Sequence, residues 1–239
     1  MKPVLSKKEA TLVDSLSIED NHISQDRLMD NAGMLSAQFF VENIKYPFNK
    51  KVLVIAGKGN NGGDAIIMHH YLLHYGIDSS LLIIDSRNKK LIKKYQILKK
   101  YRIEKINEKS ICDYDWIVDG IFGIGLNRKI TGKYKKIIQT LDGQDIISLD
   151  IPSGLECDTG NPISPNIFIK PKYVLSMGFY KYGNLINKSK AVFKKTKILD
   201  IGFPQISKLI NNIRVHAIEK VDVKSIIKDD NFLRHKYSG

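Results

Sequence analysis

Apolar residues along this chain fall into two alternating rhythms. Short, nearly continuous apolar runs occur at 51–57 (KVLVIAG), 79–85 (SSLLIID), 115–122 (DWIVDGIF), 145–150 (DIISLD), 172–178 (KYVLSMG) and 197–202 (KILDIG). Each has strand length and little polar alternation, which predicts strands buried on both faces. Helical spacing fills the intervals. Leu28, Leu35, Phe39 and Ile44 mark a helix over 26–43, and GDAIIMHHYLLHY (63–75) stops before Gly76, a C-cap residue. Leu91, Tyr95 and Leu98 stand at i, i+4, i+7 within 86–109, and TGKYKKIIQTL (131–141) reads as a further helix. The N-terminal residues read only as a polar start. Alternating strands and helices require right-handed crossovers and a parallel sheet covered on both faces. The order of the strands is not legible.

In such sheets ligands bind beyond the carboxyl ends of the strands, where the strand order reverses. Three strand-end segments are therefore the candidates. Gly57-Lys58-Gly59-Asn60-Asn61-Gly62-Gly63-Asp64 satisfies GxGxxG through Gly57, Gly59 and Gly62, with Asp85 near the expected place of a ribose-binding acid. Glycines let backbone N–H groups approach phosphate, and a helix N-terminus favours the anion. Paired asparagines and the negative Asp64 are unusual for an ordinary dinucleotide turn. Gly63 and Asp64 stand where a P-loop needs Lys and Ser or Thr. A tight turn with Asp64 as a helix-start acid is the plainer alternative.

The second segment runs from Asp119 through Gly120, Gly123, Ile124, Gly125, Leu126 and Asn127 to Arg128 and Lys129, two cations suited to phosphate oxygens. A flexible connection with solvated cations is its alternative. The third, Asp150-Ile151-Pro152-Ser153-Gly154-Leu155, exposes a serine in a fixed turn. No GxSxG elbow surrounds Ser153 and no histidine is placed as its partner, so oxygen-donor duty suits it better than nucleophilic attack. Asn61, Asp119 and Ser153 would together offer hard oxygen ligands, a set for an alkali or alkaline-earth cation rather than zinc. His70 and His74 have zinc-pair spacing, but no HExxH glutamate or third ligand follows, which leaves packing as their role.

Composition narrows the class. The 239 residues suit one domain with some extra length, and 43% hydrophobic with 26% charged residues argues for a packed globule. The net charge of +13 is concentrated: 86–109 carries +8, 165–198 another +8, and the remainder is −3. Neither basic stretch contains the strand-end motifs. Aromatic residues are not interleaved as base-stacking platforms, so solvated faces are expected and nucleic acid is not the favoured partner. No apolar run is long enough to cross a bilayer, and the N-terminus lacks the apolar core of a signal peptide. With only Cys112 and Cys157, free thiols and a cytoplasmic address are expected.

Taken together, VIAGKGNNGGDA, VDGIFGIGLNRKITG and ISLDIPSGLECDTG resemble the YjeF N-terminal domain family of NAD(P)H-hydrate epimerases. LMDNAG at 28–33, MGFYKYG and KILDIGFP extend the resemblance over about residues 5–204. It implies a three-layer αβα, Rossmann-like, mostly parallel sheet and a substrate that is NADH or NADPH hydrated at C6. The implied reaction interconverts the R and S epimers at that carbon. Asn60, Asn61, Gly62, Gly63 and Asp64 would hold the ligand with Gly123, Ile124, Gly125, Leu126, Asn127, Arg128 and Lys129. Asp150 would stand at its reactive end as the acid–base catalyst, with Asp64 the second choice. Asn61, Asp119 and Ser153 would bind one potassium ion (K+) per subunit. Ile124 replaces the family's usual threonine, Ala65 a glycine, and Glu156-Cys157 an Asp-Ala pair, while the family's N-terminal Glu-Met is Glu9-Ala10 here. The domain is expected over 1–225. Residues 226–239 form a tail in which LRHKYSG resembles the opening of a dehydratase domain, so a fused or separate dehydratase is an implied partner, and the family suggests a homodimer. Alternative readings are a non-catalytic nucleotide- or RNA-binding scaffold of the same fold and an ordinary Rossmann oxidoreductase, for which no hydride-transfer pair is present.

Overall fold

The structure is a computed structural model that describes residues 1–19, 23–84, 111, 113–186, 195–210, 213–219 and 222. Asp85, Cys112, the lysine-rich helix expected over 86–109, the domain boundary at 225 and the tail 226–239 lie outside the described residues.

Six strands form one sheet: β2 (Lys51–Ala56), β3 (Asp78–Ile83), β4 (Trp116–Gly120), β5 (Ile146–Leu149), β6 (Tyr173–Met177) and β8 (Thr196–Leu199). All six apolar runs are strands, in the order β3-β2-β4-β5-β6-β8, and every neighbouring pair is parallel. After β2 the chain moves outward to β3 and then returns to β4 on the other side of β2. The strand order therefore reverses between β2 and β4.

Alternation along β2 explains why its run is wholly apolar. Val52, Val54 and Ala56 join one buried cluster, with side chains of α2 (Gln25–Asn43) and α3 (Asn60–His74). Leu53 and Ile55 join the other, with Ile137 and Ile138 of α4 (Gly132–Thr140). A strand with both faces covered keeps no polar face. Gly33 of α2 lets the first helical layer close up: a Cβ there would stand 2.4 Å from Ile67 Cγ2 on α3. α3 begins at Asn60, three residues before the apolar pattern, because its first turn is the polar, glycine-rich NNGG. It ends on Gly76, whose φ is +83° and whose N–H donates to Leu73 O.

The polar start is structured. β1 (Lys2–Leu5) lies in a three-stranded sheet between β7 (Tyr180–Lys181), which is parallel to it, and β9 (His216–Ala217), which is antiparallel. Then comes α1 (Lys7–Glu19), opened by a capping box: the Ser6 N–H donates to Glu9 Oε2, and the Glu9 N–H donates to Ser6 Oγ. Its buried Ala10 and Val13 pack with Leu5, against Ile124, Phe179 and Phe203. The second sheet and α1 thereby form a wall over the carboxyl ends of the main strands.

Candidate active site

The β2–α3 turn is built by contact rather than by loop length. Gly57 donates its N–H to Gly120 O, and a Cβ on Gly57 would stand 1.9 Å from Ile121 O. One on Gly62 would stand 2.0 Å from Gly57 O. A Cβ on Gly59 meets nothing, because that residue faces a cavity. The first and third glycines of GxGxxG therefore serve backbone packing, and the middle one leaves an open approach to the N-terminus of α3.

This cavity, about 590 Å³, occupies the strand-order reversal. Asn60, Asn61 and Asp64 line it from α3, and Gly123 to Arg128 line it from the segment after β4. Asp150 lines it from the end of β5. Gly62 and Gly63 are buried in the helix start, and Lys129 is exposed outside the cavity wall.

Under the floor, Asp119 is completely buried. Its carboxylate accepts from Ser148 Oγ (2.8 Å), Ser153 Oγ (2.5 Å), Ser153 N–H (2.9 Å) and Ile121 N–H (3.2 Å). Burial drives its pKa up while the bonds from Ser153 and Ser148 pull the other way. Ser153 Oγ also accepts from Phe122 N–H, and Phe122 O accepts from Asn61 Nδ2 at 2.9 Å. Asn61 Oδ1 is buried without a hydrogen-bond partner. A chain of hydrogen bonds thus links the three oxygen-donor residues expected from sequence, with the Phe122 carbonyl between Asn61 and Ser153. A buried amide oxygen is destabilising by about 1–3 kcal/mol when unmatched, so this donor set fits a hard cation of the alkali or alkaline-earth class. Among the described residues no group of three His, Cys, Asp or Glu residues that could hold a metal ion occurs. His69 is buried and bonded to Ser79 Oγ at 2.8 Å, and burial pushes its pKa down to about 4.

Asp150 has φ +63°, a left-handed conformation that Asp tolerates at some strain. Two bonds hold its backbone there: its N–H donates to Leu175 O (2.7 Å), and its carbonyl accepts from Asn184 Nδ2 (3.1 Å). Its Oδ1 is ion-paired with Lys181 Nζ, whose side chain is 4% exposed. Two further carboxyls share the cavity, Asp64 from α3 and Asp14 from α1. Burial, then the charges of Asp150 and Asp14, push Asp64 far above the ordinary carboxylate range, against the pull of Lys181. Burial, then Asp150, push Asp14 up to about 6. The cavity therefore holds the Asp150–Lys181 ion pair beside a carboxyl whose protonated form burial favours.

Asp14 and Lys181 are the residues that motif reading missed. A signal existed for each. Ser6-Lys7-Lys8-Glu9 is a capping-box sequence that announces α1, and Lys181 closely follows the carboxyl end of β6. Lys181 also belongs to the second basic stretch, so that stretch does reach the site.

A glycine turn, an open helix N-terminus and convergent carboxyls at a strand-order reversal are the features of an α/β domain with its ligand site at the carboxyl ends of its strands. The chain belongs to the family described as YjeF-related protein N-terminus, which matches residues 25–183. It is 29% identical to the NAD(P)H-hydrate epimerase of Elusimicrobium minutum, covering 86% of this chain and 97% of that one. It is 30% identical to the bifunctional NAD(P)H-hydrate repair enzyme Nnr of Dictyoglomus turgidum, across 95% of this chain but only 46% of that protein. The crystal structure of yeast ynu0, YNL200c, superposes with a TM-score of 0.66 at 26% identity, covering 82% of this chain and 86% of that one. Lys181 lies inside the matched region and Asp14 outside it.

Proposed function

We propose that this chain is an isomerase that interconverts the R and S forms of hydrated NADH and NADPH by acid–base chemistry at C6. The observation that carries the reading is the carboxyl group in the cavity: Asp150 paired with Lys181, beside Asp64 held toward its protonated form. Epimerising C6 requires the C–O bond there to break and re-form, or the ring to open and close. Either route consumes a proton at one oxygen and returns one from another, so it needs an acid and a base together. Asp64 supplies the proton donor and Asp150 the acceptor, and the roles reverse for the opposite epimer. The open start of α3, Lys58 and Arg128 accept the phosphates. Asn61, Asp119, Ser153 and the Phe122 carbonyl would hold potassium, which supplies positive charge beneath the loop after β4.

Proteins named as bifunctional repair enzymes are among the relatives, which supports a dehydratase, fused or separate, as the consumer of one epimer. No helix among the described residues is long and apolar enough to cross a membrane. Action in the cytoplasm, as a homodimer, completes the proposal, with light scattering as the check on the dimer. The deciding experiment incubates the protein with the purified R epimer and follows the S epimer by chromatography, with and without potassium. Conversion that potassium accelerates is expected; no conversion in either condition sinks the proposal.

A further inference from the structure

We infer that Lys181 is a positioning residue for Asp150, locking the carboxylate so that one oxygen is spent on the lock and the other faces substrate. The inference rests on the epimerase reading above and deepens it.

The lock is a closed ring of bonds. Lys181 Nζ pairs with Asp150 Oδ1 and also donates to Met177 O at 2.7 Å and to Ser176 Oγ at 3.4 Å. These three acceptors match the three N–H groups of an ammonium. The Lys181 backbone N–H donates to Asn184 Oδ1 at 2.9 Å, and Asn184 Nδ2 donates to Asp150 O at 3.1 Å. Asn184 and Ser176 are wholly buried, so water does not compete for these bonds. The Lys181 main chain is held in turn by β1, with Leu5 opposite it in the pairing.

The second oxygen is directed elsewhere. Asp150 Oδ2 lies 3.7 Å from where a Cβ on Gly123 would stand, on the cavity side, and takes no hydrogen bond among the described residues. Gly123 keeps that approach open. A lone buried ion pair is a poor device for stability, since apolar side chains of the same volume often do as well or better. Here both partners sit on the cavity wall, where orientation has a use. The groups facing the pair are Asp14 from α1, Asp64 from α3 and Cys157 beyond β5, with Lys58 and Arg128 on the rim. The Lys181 charge pulls Asp14 and Asp64 down against their burial, so removing it moves both of them upward.

The test measures epimerisation by the wild type, K181M and K181R across pH, with circular dichroism to show that each is folded. K181M is expected to lose about a hundredfold in kcat with KM nearly unchanged, its acid limb displaced to higher pH. K181R keeps the charge but not the point contacts, so it is expected to lose about tenfold with its acid limb in place. In an Asp150→Asn background, K181M should change the residual rate little, because the group it positions is gone. Near-wild-type turnover in K181M overturns the inference, as does a lost rate with an unmoved limb. If K181M does not fold, a displaced limb in K181R overturns it. An inactive wild type sinks the epimerase reading and this inference with it; an active wild type with an unaffected K181M sinks only the role of Lys181.

Discussion

Replacing Asp14 by asparagine should stabilise the protein, and more so as pH rises. Asp14 is pushed from 3.8 up to about 6 by burial and by the charge of Asp150, with Lys181 opposing. The folded state therefore binds the proton more tightly than the unfolded state does. Its contribution to stability is fully present below 3.8 and is lost as pH rises through about 6. The difference, 6 − 3.8 = 2.2, corresponds to about 3 kcal/mol in full. Partial exposure in the cavity reduces this to about 1–2 kcal/mol. Asparagine mimics the neutral acid, so the variant should match wild type near pH 4 and exceed it by that amount near pH 8, in urea unfolding followed by circular dichroism. Asp14 also raises Asp64, so its removal relieves a second carboxyl and adds an effect of the same sign. Parallel stability curves for the two proteins, or a variant that loses ground as pH rises, would refute the argument. A stabilised variant with slower turnover would show a site that holds stored strain for its function.

Asp150→Asn should lower kcat by about a hundred- to a thousandfold while nucleotide binding, read by isothermal calorimetry, changes only a few-fold. Potassium should raise the melting temperature of the wild type but not of Asn61→Ala, which removes the unmatched buried oxygen; an equal rise in both would remove Asn61 from the proposed cation site. Gly57→Ala forces a Cβ to 1.9 Å from Ile121 O, backbone that has no free side-chain end to yield. A loss of at least about 2 kcal/mol in urea unfolding is expected, and a variant as stable as wild type would show that the two strand ends can part.

The main sheet was legible because strands covered on both faces cannot be polar: six apolar runs became six strands. Its order was not, since pairing among parallel strands is decided by crossovers that leave no local mark. That Asn61, Asp119 and Ser153 lie together was legible, because each follows or ends a strand and the topology converges those ends. The Phe122 carbonyl that joins Asn61 to Ser153 was not, as a backbone oxygen has no residue type to betray it. Asp14 and Lys181 escaped for a different reason. Both come from the short second sheet and the helix attached to it, whose two- and four-residue strands carry too few positions for a period to appear. Lysine and aspartate in such surroundings read as solvated surface until the wall they belong to is seen closing over the cavity.

The pairing of β1 with β7 also orders events in time. Synthesis runs towards the C-terminus, so β1 leaves the ribosome long before Lys181, which stands opposite Leu5 in the pairing, has been made. The main sheet can gather strand by strand meanwhile, since β2, β3 and β4 are made early and pair with one another. A nascent chain therefore carries the whole β2–α3 glycine turn before it carries the Lys181 that pairs with Asp150. The strand that holds the Lys181 main chain is thus made before, and seated after, the segments it closes over.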